Sequence, residues 1–406
     1  MIDNYNITTD LKLDLYSEFT VISTWLQIAC RNQMSVALWK LPGEANSHLV
    51  IDTSRSITTG RVDLEEIDGG FLVGPFQNPQ RSKEFLIKAD FYFNSGQNQM
   101  LVADYLKIPQ TRNLLDQFRH EIRNGHSEPS FFLQNNDASS TSSNGYQQVV
   151  ENALQAIRWG SFQKVVPAAR RLVKLGKEFS CLNTFFKLCS SYPDAFVSLV
   201  SAPGVGTWLG ASPEALIEVN RSKIFSTVAV AGTQASSPKI SPQEVAWRQK
   251  EIEEQALVSR YIINCFKKIR LREFEESGPK TIVAGNLLHL KTTYTVNMEE
   301  TNFPLLGSVM LDLLHPTSAV CGMPKTAAQE FLHTSEGFDR ELFSGYLGPV
   351  NLSNETHLFV NLRCMQILPE HALLYAGAGV TEDSIPEKEW LETQLKCDTL
   401  LEVINQ

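Results

Sequence analysis

Hydrophobic positions recur at two periods along this chain, and the change of period separates its elements. Tyr146, Val149, Val150, Ala153 and Ile157 fall at helical spacing on one face, and Gly160 stops the helix they predict. Beyond it the pattern tightens into runs of apolar and β-branched residues. Residues 196–201 and 207–211 flank a Pro203-Gly204 turn and predict a hairpin, and residues 223–230 predict a further strand. Successive strands of this kind favour antiparallel pairing over strand–helix–strand units. Ser241-Pro242-Gln243-Glu244 has the form of a capping box with proline at the first helical position, and predicts a helix running to about Arg270. Residues 358–368 and 372–380 predict a second hairpin around Pro369-Glu370, and Ser384-Ile385-Pro386-Glu387 caps a last helix. Runs of strands with long helices set among them define an α+β class.

One segment carries no pattern. Residues 135–145 read NNDASSTSSNG, all polar or small, and predict a flexible loop. It divides residues 1–134, with short apolar runs at 35–39 and 70–74, from residues 146–406. The first part is expected to support the same fold, and the second to carry the catalytic chemistry.

Composition narrows the function classes. The 36 basic and 45 acidic side chains give a formal charge of −9, without a Lys/Arg cluster able to track a phosphate backbone, so nucleic acid is not an expected partner. A small anionic substrate remains compatible, because a few local cations or a divalent metal reverse the sign inside one pocket. The seven cysteines are odd in number and lack CxxC spacing, which argues against a disulfide framework or a zinc site and for a reducing compartment. The acidic, polar N-terminus lacks signal-peptide character, and no apolar run approaches the roughly 18 residues of a membrane span. A cytoplasmic protein is the expectation.

Several positions stand out chemically. On a helical wheel Trp247, Leu257, Val258, Tyr261 and Cys265 cluster around Glu254, placing a carboxylate on a buried face. Such a group needs a partner, either a core salt bridge or a metal ion. The last helix carries Glu389, Glu392, Lys396 and Thr399 as a polar stripe; by spacing alone Glu392 and Lys396 are an ordinary surface pair. Residues 374–380 read LYAGAGV, and strand alternation puts Tyr375, Gly377 and Gly379 on one face, leaving bare backbone where a ligand or another element approaches. On the preceding strand Arg363 offers a fork to a carboxylate. Lys164, Glu214 and His315 read, from spacing alone, as an edge lysine, a strand-start acid and a structural histidine.

Read in order, KVVPAARR (164–171), GASPEALIEV (210–219), AVAGT (229–233), KEIEEQALV (250–258), LHPTSAVCGMPK (314–325), FDRELFSGYLG (338–348), NLRC (361–364), LYAGAGV (374–380) and EWLETQLK (389–396) resemble the chorismate-binding enzymes of menaquinone, siderophore, tryptophan and folate synthesis. The resemblance implies a large α+β domain of two extensive antiparallel sheets packed together with helices outside. It also implies magnesium as cofactor on Glu254 and Glu392, with Glu389 beside them, and substrate held by Gly232, Thr233, Arg363, Tyr375, Gly377 and Lys396. Members that add water to chorismate have a lysine at the position of Lys164, whereas ammonia users have glutamine. Members that make 4-amino-4-deoxychorismate have a lysine where this chain has Ala231. Gln255 and Pro167 depart from the usual histidine and aliphatic residue.

The implied activity is that of an isochorismate synthase. Lys164 is then the general base for water attack at C2, Glu214 the general acid for the departing C4 hydroxyl, and His315 an orienting group. The base must be a neutral lysine and the acid a neutral glutamic acid. A salicylate synthase, which goes on to eliminate pyruvate, is the nearest alternative; an anthranilate-synthase-type subunit and an inactive chorismate-binding relic are further ones. The product suits menaquinone or siderophore synthesis, with menaquinone preferred. No glutaminase partner is expected, and the chain is expected to be a monomer or weak homodimer.

Overall fold

The structure is a computed structural model that describes residues 5–7, 11–77, 79–104, 106, 108–124, 128–134, 138–235, 244–284 and 287–404. In chain order the first third contains β1 (Tyr5–Ile7), α1 (Glu18–Arg31), β2 (Ser35–Lys40), β3 (His48–Asp52), β4 (Gly70–Gly74), β5 (Phe85–Lys88), β6 (Phe91–Asn94), β7 (Gln99–Ala103) and α2 (Ile108–Asn124). Then follow α3 (Ser143–Arg158), β8 (Lys164–Val165), β9 (Ala168–Lys174), α4 (Cys181–Ser191), β10 (Phe196–Ala202), β11 (Gly206–Ser212), β12 (Ala215–Val219) and β13 (Ile224–Ala235). The last part comprises α5 (Gln249–Lys268), β14 (Glu275–Ala284), β15 (Leu287–Asn297), α6 (Leu306–Leu314), β16 (Gly322–Met323), α7 (Lys325–Ser335), β17 (Tyr346–Val350), β18 (Thr356–Val360), β19 (Cys364–Ile367), β20 (His371–Gly377) and α8 (Pro386–Ile404).

Antiparallel pairing builds two large sheets. One has the order β1-β7-β6-β3-β2-β10-β11-β19-β20-β9 and the other β14-β15-β13-β12-β18-β17-β4-β5, with β16 and β8 a separate pair. This is the α+β arrangement with two packed sheets. Alternation along the strands explains the layering. On β2, Val36 and Leu38 join the layer under α1 and α4, while Ala37 and Trp39 face the second sheet. Both faces are covered, so the whole strand is buried and reads as a continuous apolar run. Between the sheets the Phe196 and Phe359 rings stack with centroids 4.1 Å apart. On the outer face of the second sheet α5 and α6 cover Ile217, Phe225 and Tyr294.

Several sequence expectations change here. The run 358–368 is two strands: β18 lies in one sheet and β19 in the other, with the chain crossing at residues 361–363. Helix α4 interrupts the strand-rich stretch after Gly160. The helix expected from the Ser241 box starts later, at Gln249, where Glu251 Oε2 accepts from the Arg248 backbone N–H at 3.0 Å. Residues 241–243 of that box lie outside the described residues. The Ser384 hydroxyl accepts from the Thr381 N–H rather than from α8. Residues 135–137 of the polar segment are also outside the described residues; the rest is tied to edge strand β9, where Thr141 N–H donates to Arg170 O and the Thr141 and Ser140 hydroxyls accept from Arg170 and Leu172 N–H. A capped strand edge is the physical use of those hydroxyls.

Candidate active site

Two places where the chain passes between sheets lie side by side. Residues 213–214 lead from β11 to β12, and residues 361–363 lead from β18 to β19. They are stitched together: Ala211 N–H donates to Arg363 O, Val360 N–H to Glu214 O, and the Ser212 hydroxyl to Val360 O. A residue at such a crossing belongs to neither face of a sheet, so its side chain turns into the gap between them. Glu214 and Arg363 are those residues, and Arg363 takes a left-handed φ of 47° to do it.

The gap is a cavity of about 110 Å³ whose wall includes Glu214, Gly232, Glu254, Arg363, Glu392 and Lys396. Tyr375, Gly377, His289 and Arg340 also line it. Helices α5 and α8 bring Glu254 and Glu392 to the same space. Lys164, on β8, reaches it through Glu254, whose Oε1 accepts from the lysine Nζ at 2.7 Å. Lys396 Nζ donates to Glu392 Oε1 at 2.8 Å and to Gly377 O at 2.7 Å. Arg363 Nη1 donates to the Thr399 hydroxyl of α8 at 2.8 Å. The Tyr375 ring is stacked between Trp208 and Phe343.

Glycines set the close approaches. Gly232, at φ +70°, sits where the β13–β15 register shifts, a bulge that turns its carbonyl to accept from His289 Nδ1 at 2.9 Å. The side chain of Thr233 lies outside the described residues. A Cβ on Gly379 would stand 3.1 Å from Glu254 Oε1 and 3.2 Å from Lys164 Cε, so the bare face of LYAGAGV accommodates the lysine–glutamate pair. At Gly322, φ +143°, a Cβ would collide with Lys164 O, so β8 can pair with β16 only past a glycine.

The electrostatics single out one acid. Burial pushes the Glu214 carboxyl up to about 7, against the pull of the Lys164 ammonium, the Thr317 hydroxyl and Lys396. Burial also acts on Glu254, but the touching Lys164 ammonium, with Lys396 and Lys250 further away, outweighs it and holds that carboxyl below the ordinary glutamate value. Burial and the nearby Arg363 depress His289 to about 4, leaving it neutral.

Besides Lys164, which reaches the cavity only through Glu254, two predicted residues sit apart from its wall. His315 does not line it: its Nε2 donates to the Pro75 and Phe76 carbonyls, its ring packs edge-on against Tyr346, and burial pushes its pKa down to about 3. It anchors the loop after β4. Glu389 does not line the cavity either: it is buried, 3% exposed, and accepts from Lys250 Nζ at 3.4 Å. Glu254 itself is at the margin of α5's buried face, which centres on Gln255, Val258 and Ile262. Gln255 donates from Nε2 to Ala229 O and the Thr292 hydroxyl, pinning α5 to β13 and β15.

His289, Arg340 and Lys250 were not legible as site residues. His289 had a signal, a histidine alternating with Leu288 and Leu290 on an inward strand. Lys250 had one too, four residues before Glu254 on the same helical face. Arg340 lies in the FDRELFSGYLG motif, but its role has no local signal: its guanidinium joins Glu336, Val166 O and Val320 O, contacts set by the tertiary fold.

The donor set suits a hard divalent cation. Glu254 and Glu392 face one cavity from two helices, each already neutralised by an ammonium, and magnesium takes one or two carboxylates with water and substrate completing its shell. Among the described residues no group of three acidic, histidine or cysteine side chains converges into a closed metal cage. A larger cavity of about 980 Å³ opens at the far end of β12, β13, β15 and β18, beside Val219, Lys223, Met298 and Thr356. None of the predicted site residues line it, and the convergent lysine–carboxylate pairs belong to the smaller one.

The site of this antiparallel two-sheet sandwich gathers an acid and an arginine from the inter-sheet crossings and lysine-paired carboxylates from two helices. The chain belongs to the chorismate binding enzyme family, whose model matches residues 67–405. It is 31% identical over 224 residues to the "Isochorismate synthase EntC" of Escherichia coli strain K12, covering 53% of this chain and 56% of that protein. The chain thus spans about half the length of the curated relative it matches. The fold is similar to "MenF, the Menaquinone-Specific Isochorismate Synthase from Escherichia Coli", with a TM-score of 0.73 and 20% identity over 94% of this chain and 91% of that one. It is also similar to anthranilate synthase component I from Streptococcus pneumoniae, with a TM-score of 0.64 and 19% identity over 84% and 82% of the two chains. Among the described residues no helix is long and apolar enough to cross a membrane.

Proposed function

We propose that this chain converts chorismate to isochorismate. The observation that carries the reading is Glu214: a buried carboxyl, raised to about 7, on the wall of the cavity that Glu254 also lines, with Lys164 bonded to Glu254. A general acid at neutral pH needs that value, and a general base needs an amine nearby. Lys164 takes a proton from a water whose oxygen bonds to C2. The ring double bonds shift, and Glu214 gives its proton to the C4 hydroxyl, which leaves as water. Arg363 and Lys396 offer cations to the substrate carboxylates, and the Gly232 and Gly377 backbones allow it close approach. Glu254 and Glu392 would hold magnesium, with Glu389 beside them. When bound, the ion supplies the positive charge that anchors a substrate carboxylate.

The lysine at 164 supports water over ammonia as nucleophile, and the alanine at 231 disfavours 4-amino-4-deoxychorismate as product. All seven cysteines are buried and free, which supports a reducing, cytoplasmic setting. The test is direct: incubate the protein with chorismate and magnesium and follow products by NMR. Isochorismate alone is expected. Salicylate with pyruvate would replace this reading by a salicylate synthase, and anthranilate formed from added ammonia would replace it by an amine-adding enzyme.

A further inference from the structure

Glu254 has two claims on it. Its Oε1 accepts from Lys164 Nζ at 2.7 Å, yet the reading above gives that carboxylate to the metal and that lysine to the water. An ammonium bonded to that carboxylate cannot accept a proton from water, and its charge opposes a cation arriving on the same group. The contact is made inside the protein, with the Lys164 side chain 2% exposed and that of Glu254 24% exposed, on the cavity side. Gly379 closes the wall behind the pair, within 3.1 Å of Glu254 Oε1 for an added Cβ.

The same pattern recurs at the other acids. Lys396 holds Glu392 at 2.8 Å and Lys250 holds Glu389 at 3.4 Å, so each carboxylate assigned to the metal site is matched by its own ammonium. The three lysines are not equivalent. Lys396 has a second acceptor in Gly377 O, and Lys250 is partly in solvent, 45% exposed. Among the described residues Lys164 Nζ donates to Glu254 alone. Moving Glu254 away therefore changes Lys164 most.

We propose that Lys164 competes with the metal for Glu254: its ammonium occupies the carboxylate in the metal-free protein, and surrender of that carboxylate frees the lysine to act on water. This rests on the function proposed above. Loading of the site and release of the base are then one event. The metal-free protein keeps its base tied up, and its affinity for magnesium is held below what two carboxylates would otherwise give.

The experiment titrates magnesium chloride alone into the intact chain by calorimetry, for the wild type, Lys164→Met, Lys164→Arg and Glu254→Gln. Lys164→Met is expected to bind magnesium about tenfold more tightly, since a charge-assisted hydrogen bond no longer has to be broken. Lys164→Arg keeps a cation and is expected to stay near the wild type. Should Lys164→Met fail to fold by circular dichroism, Lys164→Gln takes its place with the same expectation. Equal or weaker binding by the neutral variants, with binding lost in Glu254→Gln, overturns the competition and leaves the metal assignment standing. Wild-type binding by Glu254→Gln overturns both, because Glu254 would then not be a ligand.

Discussion

Glu214 is held by opposing forces, and their balance sets a pH dependence. Burial raises its carboxyl from the ordinary 4.5 to about 7 although Lys164 and Lys396 pull it down. As a general acid it works only when protonated, so kcat is expected to fall as pH rises through about 7. Glu214→Gln should remove that limb and cost at least about 10²-fold in turnover, checked by steady-state rates across pH. The same shift links to stability. With the folded value above the unfolded one, the contribution of this group is full below the unfolded value and is lost as pH rises through the folded one. Thermal melts of Glu214→Gln should therefore lack the part of the stability decline that wild type shows between 4.5 and about 7. Gly379 gives a second test at this scale. Gly379→Ala puts a methyl 3.1 Å from Glu254 Oε1 and 3.2 Å from Lys164 Cε. The expected outcome is a loss of turnover on the order of tenfold with an unchanged circular dichroism spectrum, since the strain falls on the ion pair.

At the scale of elements, the two inter-sheet crossings hold the site. Asn361 fixes one of them: its N–H donates to Gly345 O and its side chain donates to Leu342 O at 2.9 Å. Arg340 fixes the surroundings. It is 2% exposed, pairs with Glu336 at 4% exposure, lies over the Phe76 ring, and donates to Val166 O just beyond β8. Arg340→Ala would leave Glu336 charged and buried, and should cost about 3–5 kcal/mol in a urea melt. Arg340→Lys keeps the charge without the fork and should recover only part of that. The sequence had named the flanking strands here, and the motifs on them, but read residues 358–368 as one strand. Local pattern cannot separate the cases, because β18 and β19 are both buried, and which sheet each joins depends on a distant partner, β12 for one and β11 for the other.

Taken whole, the molecule makes its first third part of both sheets. β2 is hydrogen-bonded to β10 from Val36 to Lys40, and β4 to β17 from Gly70 to Gly74. Trp39 and Phe71 then meet Phe196 in the shared core. Residues 138–406 expressed alone would expose the edges of β10 and β17 and the apolar faces they complete. That fragment is expected to aggregate or lack cooperative melting; a soluble, cooperatively melting fragment that turns over chorismate would refute this account.

Sequence by itself determined the elements with strong periodicity, such as α3, the β10–β11 hairpin and α8, and it singled out the acids and lysines by residue type. It also carried the resemblance that gave those residues roles. Tertiary structure decided which of them meet. Glu214 and Arg363 share one cavity because two strands change sheets at adjacent points, and Glu254 and Lys396 join them because α5 and α8 pack beside it. His315 carries the right chemistry but points its donor at backbone carbonyls. Lys164 reads as an edge lysine on its own strand, and becomes a buried partner of Glu254 because Gly322 and Gly379 leave room for it. Periodicity reports the face a residue presents within its own element; partners come from long-range packing, to which no short window of sequence has access.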